Sequence, residues 1–153
     1  MAKNSAISTT RPEGSGTAAT FATLRVSGDR LDPDAVTNIL GLPATTAYRK
    51  GERYFAGPRS GYLLGRTGVW YLSTKGLLSD PDPMKHLSYL ADLLRGEAKL
   101  AALQQLIRHD GLEVDASLFW HGAKGACEPK IPREIREAFA ALPARLEQDF
   151  DKD

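Results

Sequence analysis

Cysteine is almost absent: Cys127 is the only one in 153 residues. No intrachain disulfide can form, which fits a reducing compartment. Long apolar runs are missing too. No stretch reaches about 18 apolar residues, so no membrane-spanning helix is expected. The first twenty residues, MAKNSAISTTRPEGSGTAAT, lack the apolar centre of a secretory signal. Net charge is close to nil, with 20 Lys and Arg against 19 Asp and Glu, a formal +1. A chain so balanced has no global field for nucleic acid or an anionic membrane. Together these absences make a cytoplasmic protein the default expectation. Any preference for anions has to be local.

The motifs of common chemistries are missing as well. The three histidines, His86, His109 and His121, include no pair at i, i+4, so the helical zinc pattern does not occur and no metal site is expected. No Gly-x-Ser-x-Gly elbow is present. Asp32, Asp34, Asp80 and Asp82 are accounted for as helix caps, and Asp149, Asp151 and Asp153 as a solvated acidic end. His121 and Cys127 are near enough in sequence for a nucleophile and its base, but no acid is evident to orient them. A small hydrolase or transferase built on His121 and Cys127 is therefore the last-ranked reading. No cofactor is expected, and the chain is read as not an enzyme.

What is present is a pattern of alternating strands and helices. Residues 1–18 are rich in Ser, Thr, Gly and Ala and read as a disordered tail. From 19 to 153 the chain reads as one domain. FATLRVSG alternates almost in period two, the mark of a half-buried strand. Asp32, Pro33 and Gly41 bracket a short helix over 33–40. Residues 61–74 read as one strand or a hairpin, with Val69, Trp70, Tyr71 and Leu72 as strong strand formers. Two helices follow, meeting at Gly96, with Met84, Leu87, Leu90, Ala91 and Leu94 on one stripe and Leu100, Leu103 and Ile107 on the next. Residues 112–122 return to strand, a last helix begins near Pro132, and the end reads as a short strand. Trp70 and Trp120 are expected in the core. A faint echo between the two ends, each running strand, loop, proline, helix, Leu-Pro, predicts an α+β fold. The expected form is a mostly antiparallel sheet with helices on one face, in the duplicated split βαβ or ferredoxin-like plan.

Three segments in this order resemble a bacterial family known as domain of unknown function 4279. TFATLRVSGDRLDPDAVTNILGLPATTAYRKGE resembles its opening, with a Gly-Asp turn, a Leu-Asp-Pro helix start and a Leu-Gly-Leu-Pro helix end. TGVWYLST resembles its Gly-apolar-Trp strand, and HLSYLADLL its His-Leu helix. Pro43-Ala44-Thr45 departs slightly from the family's Pro-Thr. The resemblance spans about residues 20 to 150 and implies no reaction. It suggests a small intracellular module, with an immunity or antitoxin role as an analogy.

The best candidate site is YRKGERYFAGPRSGYLLGR, residues 48–66. Arg49, Lys50, Arg53, Arg59 and Arg66 face one acid, Glu52, with Tyr48, Tyr54 and Tyr62 among them. Cations with interleaved aromatics suit an acidic protein surface, or phosphates with stacked bases. The same composition suits an ordinary solvated connection. The segment is not a phosphate-binding P-loop, because Gly-Lys-Ser/Thr is missing and no helix follows. The favoured expectation is a non-catalytic module binding a protein partner, an acidic surface or a toxin, through Tyr48, Arg49, Lys50, Arg53, Tyr54, Arg59, Tyr62 and Arg66. The alternative partner is nucleic acid or a phosphate ligand.

Overall fold

The computed structural model describes residues 20–122, 129–142 and 144–152, with backbone alone for 121, 122 and 144–152. The predicted tail over 1–18 and Cys127 lie outside the described residues. The chain runs β1 (Phe21–Gly28), α1 (Pro33–Leu40), β2 (Thr46–Tyr48), β3 (Arg53–Phe55), β4 (Tyr62–Leu64), β5 (Gly68–Ser73), α2 (Pro83–Leu93), α3 (Glu97–Asp110), β6 (Glu113–Gly122), α4 (Arg133–Ala140) and β7 (Ala144–Lys152).

Helix boundaries follow the local chemistry. Asp32 caps α1 by accepting from the Asp34 N–H at 3.1 Å, with Pro33 in the first turn. Asp82 does the same for α2, accepting from the Met84 N–H at 2.9 Å. Both helices present one apolar stripe, and those stripes meet the sheet.

Five strands form the main sheet in the order β2-β5-β1-β6-β7. All neighbours are antiparallel except β6 and β7, which run parallel. Register sets the two faces. Val26 stands opposite Trp70 and Val114, and Leu24 opposite Leu72 and Ala116. These residues are buried, and with Val36, Leu40, Leu87, Leu90, Leu103, Ile107, Ile135 and Phe139 from the four helices they form one core. The indole N–H of Trp70 donates to the Thr37 hydroxyl at 3.0 Å, so its polar edge is satisfied inside that core. Trp120 is half-buried.

The α+β class with a mostly antiparallel sheet is what the sequence predicts. The strand order meets the split βαβ expectation over β1 to β6 and departs from it at β7. In a split unit, the two strands joined by a helix enclose a third. Here β1 and β2, joined by α1, enclose β5, and β5 and β6, joined by α2 and α3, enclose β1, whereas α4 connects β6 to its immediate neighbour β7. The two ends of the chain are therefore not equivalent halves, despite their similar order of strand, proline and helix.

A second departure concerns residues 48–66. Rather than a loop, this stretch finishes β2 and then forms a separate two-stranded ribbon, β3 with β4. Residues 62–64 and 68–73 accordingly belong to two different sheets rather than to one strand or one hairpin.

His86 is fully buried. Its Nε2 lies 2.6 Å from the Asp80 carbonyl, which can only accept, so Nε2 carries the proton. Its Nδ1 is 2.6 Å from the Thr74 hydroxyl, which donates to it while accepting from the Ala22 N–H at 2.9 Å. One imidazole thus ties the start of β1, the end of β5 and the approach to α2.

Candidate site: a β-ribbon beside the sheet

The ribbon pairs Arg53 with Leu64, Tyr54 with Leu63 and Phe55 with Tyr62. Its tip closes through Ala56 N–H to Gly61 O and Gly61 N–H to Gly57 O, both 2.8 Å. Gly57 at φ 112° supplies a backbone turn that other residues rarely adopt. At the base, the Gly51 N–H donates to Gly65 O, and the Gly65 N–H to Glu52 O, again at 2.8 Å.

Alternation gives the ribbon an inner and an outer face. On the inner face Tyr54 stacks on Tyr48 of β2, with ring centroids 4.0 Å apart and planes 5° from parallel. Tyr48 also packs on Gly65, where a Cβ would come within 2.7 Å of its ring. Burial, followed by the neighbouring Tyr54 hydroxyl, holds the Tyr48 phenol above its ordinary range, and Arg25 opposes that rise.

The base is tied to the helical side by charge. Arg49 reaches Asp32 at 2.9 Å and Asp34 at 3.3 Å, and its backbone N–H donates to Glu52 Oε1 at 2.6 Å. Lys50 reaches Asp29 at 3.1 Å. A hydrogen bond from Thr67, then the bond and charge of Lys50, hold the Asp29 carboxyl below its usual range.

The outer face is different. Phe55, Tyr62 and Leu64 are 57%, 63% and 65% exposed, although all three are large and apolar in body. Phe55 meets Tyr62 edge-on at 5.4 Å, and the Arg53 guanidinium sits 4.8 Å from the Tyr62 ring centre. Arg59 lies at the exposed tip. Among the described residues, Arg53, Arg59 and Arg66 have no carboxylate within ion-pair distance. Residues 53–79 contain Arg53, Arg59, Arg66 and Lys75 and no acid at all.

The eight predicted site residues therefore separate into three groups. Arg49 and Lys50 are engaged by the chain's own carboxylates. Tyr48 and Tyr54 pair on the inner side, next to Arg66. Arg53, Arg59 and Tyr62 project outward. Phe55, Leu63 and Leu64 were not among the predicted residues. The signal was available in Tyr54-Phe55 and Tyr62-Leu63-Leu64, two short strand-forming runs around a Gly-Pro linker. His121 lies at the end of β6, and Cys127 is outside the described residues, so no contact between them is described.

Residues 18–152 match the family described as a domain of unknown function (DUF4279). The chain belongs to that family. No curated protein and no solved structure is similar to it at a significant level. In this DUF4279 chain, no helix of the described residues is long and apolar enough to cross a membrane.

Proposed function

We propose that this DUF4279 chain is a non-catalytic protein-binding module whose contact surface is the outer face of the β3–β4 ribbon. One observation carries the reading. Three large side chains, Phe55, Tyr62 and Leu64, are more than half exposed side by side on a ribbon outside the main sheet. A clustered apolar face of this kind marks an interaction surface far more than scattered exposed residues do. The unpaired cations define the partner's chemistry: an apolar centre flanked by carboxylates. Aromatic and Arg side chains are the usual anchors of such contacts, and two-torsion aromatics are ordered at low entropic cost. The act is occlusion of the partner, the role of an immunity-type inhibitor, and the proposed setting is the bacterial cytoplasm.

The test is a photo-crosslinking residue at Tyr62 in the full chain, exposed to native-host lysate with and without nuclease. One acidic protein should crosslink, survive nuclease, and be lost in the double variant Arg53→Glu, Arg59→Glu. Absence of any crosslink, or a crosslink indifferent to both reversals, overturns the reading. A product that disappears with nuclease moves it to nucleic acid, since a two-stranded ribbon can enter a major groove.

A further inference from the structure

The ribbon's inner side leaves a trough against the open face of the sheet. That face carries Thr23, Arg25 and Ser27 of β1, with Tyr71 and Asp115 opposite Arg25. Two adjoining cavities lie there. One, of about 330 Å³, is lined by Arg25, Tyr48, Tyr54, Leu63, Arg66 and Thr67, among others. The other, of about 360 Å³, lies beyond Arg25 and Thr67 and is lined by Ser27, Asp29, Glu113 and Asp115.

We propose that the first cavity binds a small carboxylate with an aromatic body, its carboxylate held between Arg25 and Arg66. Both guanidinium groups are exposed, and neither has an ion-pair partner among the described residues. Arg25 stands in the middle of a strand on a sheet face, not at a frayed end, so its backbone is fixed. The charge of Arg25 reaches the Tyr48 phenol. Two guanidinium forks and tyrosine hydroxyls around one space suit a planar carboxylate. Leu63, Val69 and the stacked tyrosine rings supply the apolar wall.

The walls are set before any ligand arrives. The tight seat of Tyr48 on Gly65 and its stack on Tyr54 leave the rings little freedom, which lowers the ordering cost of binding. A carboxylate of the second cavity places the anion. Glu113, on the far side of Arg25, repels it and leaves the tyrosine side as its seat. The volume lies at the small end of ligand cavities, which run from roughly 300 to 1,000 Å³, and suits a single ring with a short acid arm.

The experiment is a two-dimensional amide NMR titration of the full chain with 3-phenylpropanoate, alongside its neutral amide. The acid should give saturable shifts at Arg25, Tyr48 and Thr67, and the amide none. Arg25→Met and Arg66→Met should each weaken binding about tenfold, as loss of a charge-assisted hydrogen bond implies. An unchanged Trp70 indole N–H signal reports an intact core in each variant. If Arg25→Met fails to fold, the exposed Arg66→Met carries the test. No saturable shift with the acid, equal shifts with the amide, or unaltered affinity in the folded variants overturns the proposal.

Discussion

Tyr48 sits so close to Gly65 that a Cβ at position 65 would stand 2.7 Å from one ring carbon and 2.9 Å from another. The contact joins the ribbon to the main sheet through one side chain and one stretch of bare backbone. It is steric in origin, since Gly65 is not among the glycines at positive φ. Gly65→Ala should therefore act by overpacking, at a cost of about 1–3 kcal/mol. Urea denaturation measures it. A stability equal to that of the parent chain would mean Tyr48 moves aside freely.

The Tyr48 phenol should titrate above the ordinary tyrosine range, because burial and then Tyr54 disfavour its ionised form. A group whose folded pKa is raised contributes stability present below the unfolded value, about 10, and lost as pH rises through the folded one. The ribbon should loosen in that alkaline window. Ultraviolet titration should show one late tyrosine, and Tyr54→Phe should bring it part of the way back.

Asp29 behaves with the opposite sign. Its carboxyl is held low, first by the Thr67 hydrogen bond and then by Lys50. The contribution is present above the unfolded value, about 3.9, and disappears as pH falls through the lower folded value. Carboxyl-carbon NMR should find Asp29 titrating below free aspartate. Thr67→Val and Lys50→Met should each raise its pKa; no rise in Thr67→Val would assign the effect to Lys50 alone.

His86 links Thr74 and the Asp80 carbonyl inside the core. His86→Phe keeps most of the volume but leaves both oxygens without their ring partner, at a cost of about 1–3 kcal/mol each. Denaturant unfolding should show this loss. In the parent chain, nitrogen NMR should place the ring proton on Nε2. A proton on Nδ1 would contradict the assignment.

Much of the fold was legible where the determinants are local. Asp32, Pro33 and Gly41 bound α1 because a cap acts within a few residues. The alternation over Phe21–Gly28 revealed β1 because its core face is covered and Arg25 is not. The place of β7 was not legible, since no local signal says that α4 leads back beside β6 while α1 leads to a strand beyond β5. The ribbon was hidden by its three-residue strands, too short for a period, and by cations and glycines that suit a loop equally well. That Arg49 and Lys50 are engaged depends on Asp29, Asp32 and Asp34 returning to the ribbon base, a tertiary fact. The burial of His86 is of the same kind.

The central place of β1 has a consequence during synthesis. It emerges first among the strands, yet one of its edges waits for β5 and the other for β6, where Ala22 meets Leu118. Until β6 leaves the ribosome, β1 and β5 can form only a partial sheet with a bare apolar edge, open to pairing with another chain. A nascent chain arrested before residue 113 should be the form that engages chaperones, and release of the completed chain the step that ends the engagement.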